Sequence, residues 1–240
     1  SKGTPVLERF GQVALPPGVV RDGEVADADA VAAAIKTLWH QAKFTKKEVV
    51  LGVSNQKVVV RLVDLPWMPA DDLKASLRYQ AADLVPMPVE EAVLDFVPLE
   101  EVVTDSTRQL RGLLVAAAQD AVLDAIRAVQ KAGLKVSTVD LTPFAVLRVA
   151  GSRDPLGLSG PEAVVDIGAK VTNIIVHEGG VPKFVRILLL GGDDVTGAVV
   201  ERLGIAPSDA EQLKRMPASQ ADPAQADARR VIDAALNDFV

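Results

Sequence analysis

Val164-Val165-Asp166-Ile167-Gly168-Ala169-Lys170-Val171-Thr172-Asn173-Ile174-Ile175-Val176 is the stretch that decides how this chain folds. Two apolar runs flank a short turn, with an acid near the end of the first, so strands are predicted over Ala163–Ile167 and Asn173–His177. Gly168 lets the backbone bend and lets a ligand approach without a Cβ in the way. Successive amides in such a turn, from Gly168 through Ala169 and Lys170, can face a phosphate oxygen, and Thr172 can add a hydroxyl donor. Asp166 then stands where a carboxylate can hold a hydrated Mg²⁺, an ion that takes one or two carboxylates and keeps several waters. The same spacing also fits a plain β-hairpin with Asp166 as a turn acceptor.

Downstream, Gly191-Gly192-Asp193-Asp194 follows the apolar strand Lys183–Leu190 and opens a helix over Asp194–Leu203. A helix start can meet an anion, and equally Asp194 can be a simple N-cap. A further helix over Ser208–Arg215, with Ser208 as N-cap, carries Glu211 and Lys214 three positions apart and therefore on one face. Those two can grip a ribose hydroxyl and an adenine edge, or form an exposed ion pair.

Upstream the pattern is mixed α/β. Strands are predicted over Val6–Leu15, Glu48–Ser54, Lys57–Leu65, Ala92–Leu99, Gln109–Ala117 and Lys135–Leu141. The continuous apolar run of Glu48–Ser54 predicts a strand covered on both faces. Helices are predicted over Ala30–Lys43 (capped by Asp27 or Asp29), Pro69–Asp83, Gln119–Ala132 and Thr142–Ala150, and Gly133 supplies a C-cap. In the first of these, Val31, Ala34, Ile35, Leu38 and Trp39 form one apolar stripe. Glu100–Arg108, Gly151–Pro161 and Met216–Asp227 are polar or Gly/Pro-rich connections, and Ala228–Val240 reads as a helix.

The 240 residues hold 26 Lys and Arg against 32 Asp and Glu, a formal charge of −6. That acidic balance argues against nucleic acid as a partner, since phosphates are neutralised by a basic face. With no cysteine, thiolate chemistry and Cys-bound zinc are impossible, and His40 and His177 alone cannot build a multi-histidine metal site. No apolar run approaches the roughly 18 residues of a membrane span, so direct membrane insertion is not expected. Ser1-Lys2-Gly3 opens without Met and Asp238-Phe239-Val240 lies inside a helical pattern, so a fragment of a longer chain is expected.

The order of the pieces, Asp-Ile-Gly hairpin, Gly-Gly before a helix, then Ala210-Glu211-Gln212-Leu213-Lys214, resembles the second half of the actin/FtsA ATPase superfamily. The whole chain to about Arg215 is most similar to the PilM family of actin-like type IV pilus assembly proteins. Leu15-Pro16-Pro17-Gly18, Leu65-Pro66-Trp67-Met68-Pro69, Pro86-Met87-Pro88-Val89-Glu90-Glu91-Ala92-Val93-Leu94-Asp95-Phe96, Ala132-Gly133-Leu134 and Pro143-Phe144-Ala145 carry this likeness.

The resemblance implies an α/β actin-like ATPase (ribonuclease H-like) fold with an inserted FtsA-type 1C subdomain, truncated at both ends. Subdomain 1A would take 1–54 and 135–161, 1C would take 55–134, and parts of 2A and 2B would take 162–198 and 199–240. It implies ATP and Mg²⁺ as cofactors, with Asp166 to Asn173 as the second phosphate loop and Glu211 and Lys214 lining the nucleoside pocket. Its partners would be the cytoplasmic tail of a PilN-like inner-membrane protein and other pilus assembly components. The implied location is cytoplasmic, at the inner face of the membrane through that partner. Val60, Leu62, Trp67 and Met68 are the candidate residues for gripping the tail in a groove between 1A and 1C. An active Mg-ATPase and an FtsA-like filament former are the alternatives. Lys170 stands where many relatives have a small or acidic residue, which leaves the phosphate loop functional, whereas Thr142-Pro143-Phe144 offers no acid or amide to orient a water, and that departure stands against the first.

Overall fold

The computed structural model describes residues 6–104, 107–151, 160–217 and 226–239. Near the N-terminal end, β1 (Val20–Arg21) and β2 (Glu24–Val25) form a two-residue hairpin. Its turn is Asp22-Gly23, with φ of 52° and 81°, the doubly positive pair that this tight hairpin turn demands. Residues 6–16, expected to include a strand, pair with no strand. Their partial alternation has no described neighbour to hydrogen-bond, and Val6 and Phe10 lie exposed.

Asp27 caps α1 (Ala28–Gln41) by accepting from the amides of Asp29 and Ala30, both at 3.0 Å. The predicted stripe of α1 lies half-buried on the side that meets α3 (Gln119–Lys131). Val122 and Val129 of α3 are buried as their spacing predicts, and Gly133, at φ 85°, follows that helix in the left-handed position. Behind these helices β3 (Glu48–Val53) runs parallel to β7 (Lys135–Leu141). β3 is not covered on both faces. Its burial alternates and Val50 is 63% exposed, because in this two-stranded sheet only one face meets the core among the described residues.

Between β3 and β7 the chain builds a second sheet of β4 (Val58–Pro66), β5 (Ala92–Val103) and β6 (Arg108–Ala118), antiparallel in the order β4-β6-β5. The expected Glu100–Arg108 loop is shorter than predicted. β5 continues past a bulge between Pro98 and Glu100 and pairs with β6 to Val103. Strand alternation divides this sheet into two faces. Leu65 and Leu114 pack on Leu73, Leu77 and Ala81 of α2 (Ala70–Ala81). On the other face Val58, Val115 and Ala117 share a core with Val53, Leu141 and Val122. The inserted sheet is thereby fastened to the β3-β7 pair by apolar burial.

The third sheet is a meander of β8 (Glu162–Ile167), β9 (Thr172–Glu178) and β10 (Val181–Leu188), in the order β10-β9-β8. Leu147 of α4 (Thr142–Ala150) packs on Ile175 and Val185 of that sheet. α5 (Gly192–Leu203), α6 (Pro207–Arg215) and α7 (Ala226–Phe239) close on Val195, Val199, Ala210 and Ile232. Ser208 is not an N-cap. Pro207 takes the first helical position and Ala206 precedes it without a side-chain bond, an arrangement proline favours because it has no amide to satisfy. Most of the predicted connections 151–161 and 216–227 lie outside the described residues.

Candidate functional site

The β8–β9 hairpin turns where predicted. Gly168 donates its amide to the Val171 carbonyl at 3.0 Å, and a Cβ at 168 would stand 2.7 Å from that oxygen. The amides of Ala169 and Lys170 have no acceptor among the described residues, and both residues are exposed. Across the hairpin Asp166 lies directly opposite Asn173, whose Nδ2 donates to Asp166 Oδ2 at 3.1 Å. Thr172 does not supply the expected phosphate donor. It is 1% exposed, and its hydroxyl donates to the Leu190 carbonyl at 2.7 Å, because its place on β9 turns it inward.

The start of α5 is packed against this turn. Gly192 donates to the Gly168 carbonyl at 2.9 Å and Asp193 to the Ala169 carbonyl at 2.8 Å. Asp194 is the third helical residue rather than the cap. Its carboxylate accepts from the Gly191 amide at 2.7 Å while its own amide donates to the Gly191 carbonyl at 3.1 Å. The amides of Gly191, Gly192, Asp193 and Asp194 are therefore engaged, and the expectation that Gly191 and Gly192 present amides to an anion is corrected. What these glycines provide is space: a Cβ at 191 would stand 2.3 Å from the Ala169 carbonyl oxygen. Lys170 reaches Asp193 only at 3.7 Å, along the surface.

Glu211 and Lys214 meet on α6, at 2.6 Å, beside the start of α5. Lys214 Nζ also donates to the Gly192 carbonyl and to Thr196 Oγ1, each at 2.8 Å, so its three protons have three acceptors. Thr196 in turn donates to Glu211 Oε2 at 2.6 Å, and Arg215 donates to Oε1 at 2.7 Å. The Lys214 ammonium, followed by the Thr196 hydroxyl, holds the Glu211 carboxyl down at about 2. Turn, helix start and Glu-Lys pair thus form one continuous surface. Thr196 and Ser54, whose hydroxyl donates to Asn173 Oδ1 at 2.6 Å, are the members that sequence reasoning missed. Thr196 lies in the Gly191-to-Thr196 run, at i+4 from Gly192, a spacing that can flag it. Nothing local ties Ser54 to a residue 119 positions away.

The four candidate partner residues are not brought to one surface. Val60 is packed in the seam with Phe144 and Val164, and Met68 joins the α2 core on the opposite face. Leu62 is exposed on the Val60 face, while Trp67 lies beyond the strand end, stacked under Arg108 at 3.8 Å and bonded to Glu101. Val60 and Leu62 share one face of β4 but only Val60 reaches the seam, and the strand ends at Pro66, so its alternation does not carry on to Trp67 and Met68. A groove of about 850 Å³ does lie where β4 begins and α3 begins, lined by Val59, Pro86, Met87 and Leu123 together with Glu90 and Asp124. Among the described residues no group of three or more His, Asp or Glu could hold a metal, and no helix is long and apolar enough to cross a membrane.

Stacked α/β layers with a glycine turn seated on a helix start, and a Glu-Lys helix beside it, define a protein of the actin-like ATPase fold. Residues 1–223 match the family model of the type IV pilus assembly protein PilM, and the chain belongs to that family. The structure of a PilM-PilN type IV pilus biogenesis complex is similar at 32% identity and a TM-score of 0.81, over 93% of this chain and 64% of that one. The cell division protein FtsA of Bacillus subtilis is 24% identical over 87% of this chain and 52% of its own length. Likeness to the ethanolamine utilization protein EutJ from Carboxydothermus hydrogenoformans, at 16% identity and a TM-score of 0.53 over 92% of this chain and 56% of that one, concerns the fold alone. The chain spans about half the length of the FtsA relative it matches.

Proposed function

We propose that this chain is the nucleotide- and partner-binding part of a cytoplasmic scaffold for type IV pilus assembly. The observation that carries the nucleotide reading is the pair of exposed amides at Ala169 and Lys170, which have no acceptor among the described residues, on a turn that Gly168 closes through the Val171 carbonyl. Those amides would receive phosphate oxygens of ATP, with Gly168, Gly191 and Gly192 permitting the close packing behind them. Asp166 would hold Mg²⁺ through water. A single carboxylate suits that ion, whose other ligands would be waters and the phosphates. Glu211 and Lys214 would face the nucleoside from α6. In subdomain terms, 1–54 and 135–161 would form 1A, 55–134 would form 1C, and 162–198 and 199–240 would begin 2A and 2B.

The partner reading draws on the likeness to a PilM in complex with PilN. The groove beside Met87 and Leu123 has a mixed apolar and charged lining, with Lys57 and Arg127 among its acids, of the kind that takes an extended peptide by pockets for alternate side chains. A PilN-like cytoplasmic tail lying there would hold the scaffold at the inner face of the membrane.

The test is a titration of the full-length protein with a peptide copying the PilN N-terminus. Leu123→Asp, in the groove, is expected to lose at least tenfold in affinity, and Trp67→Ala, outside it, to bind as wild type does. Equal affinity for wild type and Leu123→Asp refutes the placement.

A further inference from the structure

Asp166 is held by a residue it never touches. An ionised carboxylate only accepts hydrogen bonds, so the Asn173 amide must present Nδ2 to Asp166 Oδ2 and its carbonyl Oδ1 to the other side. Asn173 is 3% exposed, and a buried amide oxygen needs a donor. Ser54 Oγ supplies that donor at 2.6 Å, from the segment that follows β3.

Ser54 is itself fixed. Its carbonyl oxygen lies 2.1 Å from where a Cβ of Gly23 would stand, so only glycine lets the β1–β2 turn close on it. The next residue, Asn55, is buried and accepts the Lys57 amide at 2.9 Å, which stiffens the chain just beyond. A rigid backbone thus carries a hydroxyl that sets an amide, and the amide sets one oxygen of the carboxylate. Oδ1 of Asp166 has no donor among the described residues.

We infer that Ser54 is a positioning residue for the cation-binding carboxylate, acting through Asn173 to keep Asp166 Oδ1 free and oriented. This rests on the nucleotide reading given above. Loss of the Ser54 proton leaves Asn173 Oδ1 buried without a donor, and a flipped amide would then set a carbonyl against the carboxylate.

The experiment measures ATP affinity of the full-length protein in MgCl₂ and in EDTA, for wild type, Ser54→Ala and Ser54→Thr. Ser54→Ala is expected to cut the Mg²⁺-dependent gain in affinity about tenfold, the cost of leaving the buried Asn173 oxygen without its donor. Its affinity in EDTA should stay within about twofold of wild type, and Ser54→Thr should restore the gain. A full Mg²⁺ gain in Ser54→Ala overturns the inference. A thermal double-mutant cycle of Ser54→Ala with Asp166→Asn, without ligand, supplies the second measurement. Coupling predicts a double-variant Tm that departs from the sum of the single losses by about 2 °C or more, and additivity overturns the inference. A wild type with no Mg²⁺ gain refutes the nucleotide reading, and the cycle alone then decides the role of Ser54.

Discussion

Replacing Gly191 with alanine tests the packing on which the site depends. Gly191 is extended, at φ −165° and ψ −169°, a conformation alanine adopts freely, so any loss of stability must come from contacts. The new methyl would lie 2.3 Å from the Ala169 carbonyl oxygen, 2.5 Å from its carbon and 2.6 Å from the Gly168 oxygen. All three are backbone atoms of a turn closed on itself by the bond from Gly168 to Val171. The turn or the helix start must move by about 1 Å to restore ordinary contact. Overpacking of this kind costs about 1–3 kcal/mol. Movement also loosens the bonds from Gly192 and Asp193 to the turn carbonyls, about 1 kcal/mol each. The total is about 3–5 kcal/mol, or a Tm lower by roughly 10 °C for a chain of this size.

The control lies in the same helix. Gly197 is exposed, and a methyl placed there would meet nothing within 4 Å, so Gly197→Ala should stabilise by about 0.5–1 kcal/mol through helix propensity. Urea unfolding followed by circular dichroism at constant m separates the two. A Gly191→Ala variant within about 0.5 kcal/mol of wild type refutes the packing argument.

Two further outcomes are expected. Glu211 titrates near 2 in the folded chain against an ordinary 4.5, so its contribution is complete above about 4.5 and is lost as pH falls through 2. Glu211→Gln should therefore destabilise by about 1–2 kcal/mol at pH 7, after allowance for solvent screening, and match wild type near pH 2. A constant difference across that range in pH-resolved urea melts contradicts the assignment. Asp27→Ala removes the cap of α1 and should lower stability by about 1 kcal/mol, read as a Tm about 2–4 °C lower.

Much of the fold was legible because it follows from local rules. The stripe of α1, the Gly133 stop and the apolar runs around Gly168 each name an element through spacing and turn chemistry alone. Where reading failed, a partner was at issue. Val6–Leu15 alternates in part, yet a strand exists only beside another strand. The apolar run of β3 predicted two covered faces, and one is left open at Val50. Val60, Leu62, Trp67 and Met68 are close in sequence but lie in a seam, on open faces and in a core.

The candidate site divides in the same way. Asp166, Gly168, Gly191, Gly192, Glu211 and Lys214 were singled out as candidates by residue type and by the family resemblance that their order carries, and both belong to the sequence itself. Which of their donors remain available was decided by tertiary structure. The Thr172 hydroxyl goes to Leu190, the first two α5 amides go to the turn, and all three Lys214 protons are taken. Ser54 reaches Asn173 across 119 positions. A polar group that loses water must find a partner, and the partner it finds is whichever group folding brings within about 3 Å. The sequence names the groups, and only the packed chain determines which of them meet.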